Sequence, residues 1–349
     1  MKASIKQISE MTGFSPATVS NALNNKKGVN RETQEKILQA ARECGYLSEG
    51  GPIHTIRFVI YKDSGRIVTD TPFFSALIEG VEMESRRGDF ETVICNLNRS
   101  APDYEERLNQ ILTDPTSGIL LLATELDEKE AARFKEALAP VVVLDNWFEE
   151  TSFNSVLISN TDSSCAAAEY LIRRGHREIG YLQSEIPIKN FFYRIEGYER
   201  ALKAHGLEPP EGGVLKLPPS MDGAREQMNR LLREGVKLPP AFLADNDIIA
   251  LGAMKAMQDN GIRVPDDVSI IGFDDLPFCS ITTPGLTTIR VFKQEMGRTA
   301  VRRLLELVRY GDQYVTKSQI CTAFVERGSV RDCTPPVVDS EPEQPAKHA

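Results

Sequence analysis

Two hydrophobic periods divide the chain, with a soft joint between them. From Ser4 onward Ile5, Ile8 and Met11 recur at helical spacing until Gly13 breaks the pattern. Ser15 then reads as an N-cap with Pro16 at the first helical position, where a missing N–H costs nothing. A second helix is predicted from about Pro16 to Asn24. Val19 and Leu23, four apart, form its buried side, while Ala17, Ser20, Asn21 and Asn24 share the opposite face. Asn30 caps a third helix in which Ile37, Leu38 and Ala41 face inward and Gly45 supplies the stop.

After Thr55 the period changes. IRFVIY (56 to 61), TVIC (92 to 95), GILLL (118 to 122), VVVLD (141 to 145), SVLIS (155 to 159), IGYL (179 to 182), PAFLA (240 to 244) and VSIIGFD (268 to 274) are short apolar runs rich in Val, Ile and Leu. Helical segments such as 73 to 87, 162 to 174, 192 to 204 and 247 to 260 lie between them. Strands alternating with helices predict α/β architecture with parallel sheets covered on both faces, and so many strands predict two lobes.

The joint is GYLSEGGPIHT (45 to 55), with adjacent glycines, a proline and no apolar period. It places a headpiece at 1 to 46, a linker at 47 to 54 and a body at 55 to 330. A proline-rich tail without apolar period, 331 to 349, is expected to be disordered. A chain of 349 residues suits two or three domains. No apolar run approaches the ~20 residues of a membrane helix and MKASIKQISE has no apolar signal region, so a cytoplasmic protein without membrane partners is expected. The six cysteines show neither CxxC nor close Cys/His spacing, so no metal or cofactor is expected. Charge is uneven: residues 1 to 46 hold seven Lys/Arg against four Glu, a net of +3, so the remainder carries −12 to give the net −9. A basic head on an acidic body points to a separate anion-binding module.

Helix, Gly-containing turn, helix, loop with two lysines and helix make the helix-turn-helix arrangement, whose second helix lies in the DNA major groove. The string IKQISEMTGFSPATVSNALNNKKGVNRETQEKILQAARECGY resembles the headpiece of the LacI/GalR family of bacterial transcription repressors, with Ile8, Gly13, Ser15, Thr18, Val19, Ser20, Leu23, Asn24, Val29, Thr33, Gly45 and Tyr46 in matching order. Chemistry gives these positions roles. The hydroxyls of Ser15, Thr18 and Ser20, with the helix N-terminus, can hold phosphates, and Lys26, Lys27 and Arg31 add long-range attraction. Asn21 can pair bidentately with an adenine edge and the Ala17 methyl can touch a thymine methyl. The resemblance implies that Pro16, Ala17 and Asn21 vary with operator sequence and that Asn24 and Thr33 belong to the DNA-facing set. Since Pro16 and Ala17 carry no hydrogen-bonding side chain, Asn21 is expected to carry most direct readout.

In parallel sheets ligands bind at the carboxyl ends of strands. Asp145-Asn146, Asn160 with Asp162, Asn246-Asp247 and Asp274-Asp275 stand there, with Arg194 in a helical stretch after Phe191-Phe192-Tyr193 and Phe73-Phe74 after Pro72. Carboxylates, amides, one arginine and aromatic faces suit a polyhydroxylated small molecule. Taken singly each Asp or Asn reads more readily as a helix cap; together they point to a ligand. TPFFSALIEGVE, AAEYLIRRGHREIGYL, RIEGYERAL, NDIIALGAMKAM, VPDDVSIIGFDD and PGLTTIR resemble the effector-binding core of the same family, which is similar to periplasmic sugar-binding proteins.

That resemblance implies that Asp145, Arg194, Asn246 or Asp247, and Asp274 contact an effector, most simply a sugar, between two lobes, with Phe73 or Phe74 against its ring. It also implies crossovers near 146, 275 and 312, giving subdomains of about 55–145 plus 276–311 and 146–275 plus 312–330. His176 is expected to be structural. Val291-Phe292 stands where several relatives carry a polar residue, which weakens transfer of any specific sugar.

An enzyme acting on a sugar or nucleoside finds no GxGxxG, GxxxxGK[ST], GxSxG or HExxH to support it. A solute-binding protein would suit the body but not the basic head. One headpiece of +3 binds DNA weakly, so a homodimer on a pseudo-palindromic double-stranded operator is expected. In relatives the segment after Gly-Tyr carries a Pro-Asn pair and a hinge helix that inserts leucines into the minor groove. Leu47 to His54 has no Pro-Asn, no alanine, and Gly50-Gly51-Pro52 interrupting it, so this hinge motif is missing and little operator bending is expected.

Overall fold

The computed structural model describes residues 4–23, 29–44, 53–68, 72–311 and 314–334. The linker positions 47–52 and the tail beyond Thr334 therefore lie outside the described residues.

The headpiece forms three helices, α1 (Ile5–Thr12), α2 (Pro16–Leu23) and α3 (Arg31–Glu43). Each start has the polar cap the sequence offers: Ser4 Oγ accepts the N–H of Gln7, Ser15 Oγ that of Thr18 and Asn30 Oδ1 that of Thr33. Gly13, at φ 73°, ends α1 in the left-handed region, with its N–H donating to Ser9 O. Ile8, Val19, Ala22, Ile37, Ala40 and Ala41 are buried together, with Ile5, Phe14, Leu23 and Val29 packed around them. The expected inward residues Val19, Ile37 and Ala41 are there; Leu23 and Leu38 are only half-buried, and the smaller Ala22 and Ala40 complete the core.

Beyond Thr55 the chain runs β1 (Thr55–Lys62), α4 (Pro72–Arg87), β2 (Glu91–Asn98), α5 (Tyr104–Leu112), β3 (Ser117–Leu122), α6 (Glu128–Arg133), β4 (Val141–Leu144) and β5 (Asn154–Ile158). Then follow α7 (Asn160–Arg173), β6 (Ile179–Ser184), α8 (Lys189–Ala204), β7 (Val214–Leu217), α9 (Met221–Arg233), β8 (Ala241–Ala244), α10 (Asp247–Asp259) and β9 (Ser269–Ile271). β10 (Thr288–Arg290), α11 (Lys293–Tyr310), β11 (Lys317–Ile320) and β12 (Ala323–Val325) complete it.

Two compact units result, one of Met1–Ser159, Ile186–Phe192 and Val291–Thr322, the other of Asn160–Glu185, Tyr193–Arg290 and Ala323–Ala349. In the first, a six-stranded sheet has the order β11-β5-β4-β3-β1-β2, and every pairing is parallel. Its inner strands β3 and β5 are buried along their whole length, as strands covered on both faces must be. α4 and α11 cross with their backbones in near contact: a Cβ on Gly80 would lie 2.1 Å from Gln294 O, and one on Gly297 2.6 Å from Leu77 O. In the second unit a parallel sheet has the order β7-β6-β8-β9, beside a short antiparallel pair β10-β12.

The two parallel sheets are those expected, but the crossings between units fall elsewhere. They lie after Ser159, Glu185, Phe192, Arg290 and Thr322, not near 146, 275 and 312. β5, expected in the second lobe, pairs with β4 and β11 in the first, and β10, expected in the first, pairs with β12 in the second. Apolar runs identify buried parallel strands without saying which sheet receives them, and KSQI and AFV alternate half-buried and exposed residues too briefly to register. The tail also begins later than Arg331. Arg331 N–H donates to Ser269 Oγ at 3.0 Å and Cys333 N–H to Arg174 O at 2.7 Å, so these residues are packed against the second unit. His176 is buried here, with Nε2 3.2 Å from Arg331 O, and burial holds its pKa down, which is the structural role expected of it.

Candidate functional site

In the headpiece, α2 is gripped along one side, where Val19 and Ala22 are buried, and presents Pro16, Ala17 and Asn21 to solvent on the other. Ser15 Oγ, besides capping Thr18 N–H at 3.1 Å, lies 2.9 Å from Thr18 Oγ1. One hydroxyl hydrogen joins that pair, which leaves the other to donate outward, as a phosphate oxygen requires. Ser20 and Thr33 are half-buried, and Thr33 N–H is used by the Asn30 cap. Asn24, Lys26 and Lys27 lie outside the described residues, as does the side chain of Arg31. Among the described residues the exposed face thus holds one amide able to read a base edge bidentately, that of Asn21, flanked by small apolar groups.

In the second unit, Arg194 gathers three of the strand-end groups. The guanidinium is almost wholly buried, donating from Nε to Asn160 Oδ1 at 2.9 Å and from Nη1 to the carbonyl of Asp245 at 2.5 Å. Nη2 is 3.5 Å from Asp274 Oδ1, and the group lies over the Phe273 ring at 3.7 Å from its centroid. Asp274, at φ 116°, holds a backbone conformation that side chains rarely adopt. Arginine suits this position because its planar fork serves several acceptors while stacking on an aromatic face.

Asn246 and Asp247 are engaged within the unit. Asn246 Oδ1 caps α10 by accepting Ile249 N–H at 3.0 Å. Asp247 is fully buried, and both its oxygens are used inside the unit, by Thr288 Oγ1–H at 2.5 Å and Leu276 N–H at 2.8 Å. The carboxylate thus clamps the start of α10 to the segments around Leu276 and β10. Burial, with Asp274 nearby, pushes its pKa up to about 7. Asp245, which the sequence reading passed over, is equally buried and accepts Tyr181 O–H at 2.7 Å and Ser184 N–H at 2.6 Å.

In the first unit, Asp145 stands at the end of β4 with φ 65° and accepts Thr124 Oγ1–H at 2.7 Å, while its carbonyl accepts from Asn190 Nδ2 at 3.2 Å. Phe73 and Phe74 open α4 as an edge-to-face pair with centroids 5.1 Å apart, both buried. The ring of the chain's one tryptophan, Trp147, meets the ammonium groups of both Lys189 and Lys317, 4.0 and 3.9 Å from its centroid. A cavity of about 330 Å³ opens at the carboxyl ends of β1, β3 and β4, lined among others by Ser64, Thr124, Glu125, Asn146, Phe148 and Lys189. None of the predicted effector contacts lines it. The residues missed, Phe273, Asp245 and Thr124, each adjoin a strand end that was read, so looking one or two positions along the chain finds them.

Residues 4–49 match the description "Bacterial regulatory proteins, lacI family" and residues 168–330 "Periplasmic binding protein-like domain". Over 335 residues the chain is 30% identical to the HTH-type transcriptional repressor PurR of Haemophilus influenzae (strain PittEE), covering 94% of this chain and 99% of that one. The chain belongs to the LacI family. It is a DNA-binding transcriptional regulator with an effector domain, and not an enzyme. Another LacI-family relative, a PurR repressor of Mannheimia succiniciproducens, is 29% identical over 333 residues, covering 94% and 99% of the two chains. The family fold recurs in the solved "transcriptional regulator CelR-cellobiose complex", with a TM-score of 0.71 at 24% identity over 94% of this chain and 100% of that one. It recurs too in the lac repressor dimer bound to operator and the anti-inducer ONPF, with a TM-score of 0.69 at 24% identity over 95% and 100%. Among the described residues no helix is long and apolar enough to cross a membrane.

Proposed function

We propose that this LacI-family regulator represses transcription as a homodimer on a pseudo-palindromic operator, working in the cytoplasm and released or recruited by a small polyhydroxylated effector, a sugar in the first instance. The exposed face of α2 carries this reading: a capped helix start, two small apolar residues and the amide of Asn21 are what a base-reading surface needs. Phosphates are held by Ser15, Thr18 and Ser20, with Lys26, Lys27 and Arg31 steering the approach.

The effector contacts proposed are Arg194 and Asp274 in the second unit and Asp145, with Phe73 or Phe74, in the first. Bidentate guanidinium and carboxylate groups match adjacent hydroxyls. The buried Phe73–Phe74 pair favours a nucleoside as second reading, since a base stacks on an aromatic ring as a sugar face does. A second copy is supported by the edge strand β2, on which Val93 and Ile94 are 47% and 49% exposed. An eight-residue edge with unpaired backbone and exposed apolar side chains is a liability unless another surface covers it.

A thermal-shift screen of sugars and nucleosides on the full chain, with hits repeated in a gel shift of the DNA upstream of its own gene, tests the whole reading. A hit that changes retardation supports it. Retardation without sequence preference, or turnover of the hit, would defeat it.

A further inference from the structure

The loop that follows β1 is folded around a side chain from elsewhere in the first unit. Glu125, just beyond β3, places its Oε2 where it accepts the N–H groups of Asp63, Ser64 and Gly65 at 2.9, 2.7 and 3.0 Å, and the Ser64 hydroxyl at 3.2 Å. Its Oε1 accepts the N–H groups of Ile67 and Val68 at 3.0 and 2.9 Å. Gly65, at φ 65°, supplies the left-handed step that turns neighbouring N–H groups toward one centre. Successive backbone N–H groups around a centre form an anion-binding concavity, and here the occupant is the chain's own carboxylate. Burial pushes the Glu125 acid up, but the N–H groups of Val68, Gly65, Ser64 and Ile67 outweigh it and leave the acid below its ordinary range.

The loop so held is a wall of the 330 Å³ cavity, which Asp63, Ser64 and Glu125 all line, and it leads into α4, whose first turn carries Phe73 and Phe74. It stands at the carboxyl end of a parallel strand, the edge at which such sheets bind ligands.

We propose that Glu125 is a positioning residue, a built-in anion that fixes the 63–68 loop and so sets the shape of the effector-side wall of the first unit. The step from loop to effector rests on the effector reading above; the step from carboxylate to loop does not.

The test is amide hydrogen exchange on the full-length chain and its Glu125→Ala and Glu125→Gln variants, without ligand. In Glu125→Ala, exchange at 63–65, 67 and 68 becomes at least tenfold faster while β1 and β3 keep theirs, and added formate restores protection in the variant alone. In Glu125→Gln, one half of the loop is protected and the other is not, because an amide has one acceptor oxygen and its NH₂ faces N–H donors. Operator retardation stays within twofold of the parent, while the dose of any hit from the sugar and nucleoside screen needed for half-effect rises at least tenfold in Glu125→Ala. Unchanged exchange in Glu125→Ala, or a uniform loss of protection across β1 and β3 without formate rescue, overturns the proposal. An unchanged dose response with an altered loop overturns its effector step. A parent protein that binds no compound defeats the effector reading instead and leaves the exchange result to decide the loop.

Discussion

Replacing Arg194 by lysine keeps the charge and removes the fork, so it isolates what the guanidinium geometry contributes. Arg194 donates to two neutral acceptors, Asn160 Oδ1 and the carbonyl of Asp245, while facing Asp274 and stacking on Phe273. A compact ammonium can reach one of those acceptors and still face Asp274. The other acceptor then loses a bond from a charged donor at a buried position, worth about 1.5 to 3 kcal/mol. With the stack weakened as well, the second unit should lose about 2 to 4 kcal/mol, which for a unit of this size lowers its melting temperature by roughly 5 to 15 °C. Differential scanning calorimetry of the parent and the variant, without ligand, reads this directly. A melting temperature unchanged within 1 to 2 °C would show that the guanidinium network is not what organises the centre of this unit.

The remaining predictions are narrower. Asn21→Ala should cost about 1 to 3 kcal/mol at one operator position, and so relax preference there by roughly 5- to 150-fold, with little change at other positions in a competition gel shift. Unaltered relative affinities for operator variants would remove Asn21 from direct readout. Asp247→Asn should destabilise the second unit by ~1 to 3 kcal/mol, because Leu276 N–H or Thr288 O–H loses its buried acceptor, while leaving the effector dose response within a factor of two. A tenfold change in dose response without loss of stability would make Asp247 an effector contact instead. Ile94→Lys on the exposed edge strand β2 should shift sedimentation toward monomer and weaken operator binding at least tenfold; an unchanged dimer would place the second copy elsewhere.

Much of the headpiece was legible because every local rule agreed. Ser15 before Pro16, Asn30 three residues before Thr33 and Gly13 after α1 are caps whose chemistry is local, and the structure uses each as read. In the body the apolar runs found the buried strands, since a strand covered on both faces needs continuous apolar residues whatever its neighbours. What they could not convey was sheet membership, and β5 and β10 were therefore assigned to the wrong units. The same limit applied at the site. A carboxylate at a strand end reads alike whether it awaits a ligand or clamps a helix, and the helix-clamping partners of Asp247 emerge only from the fold. Glu125 left no mark in sequence, because its partners are backbone N–H groups some sixty residues away, which no side-chain pattern records.

The central claim is that effector state in the body controls DNA binding by the headpiece. It is tested most directly by titrating the full-length protein onto the DNA upstream of its own gene, with and without the strongest stabilising compound from the screen of sugars and nucleosides. A change of at least fivefold in operator affinity, about 1 kcal/mol of coupling, is the predicted result. Specific retardation that no stabilising compound alters would contradict it.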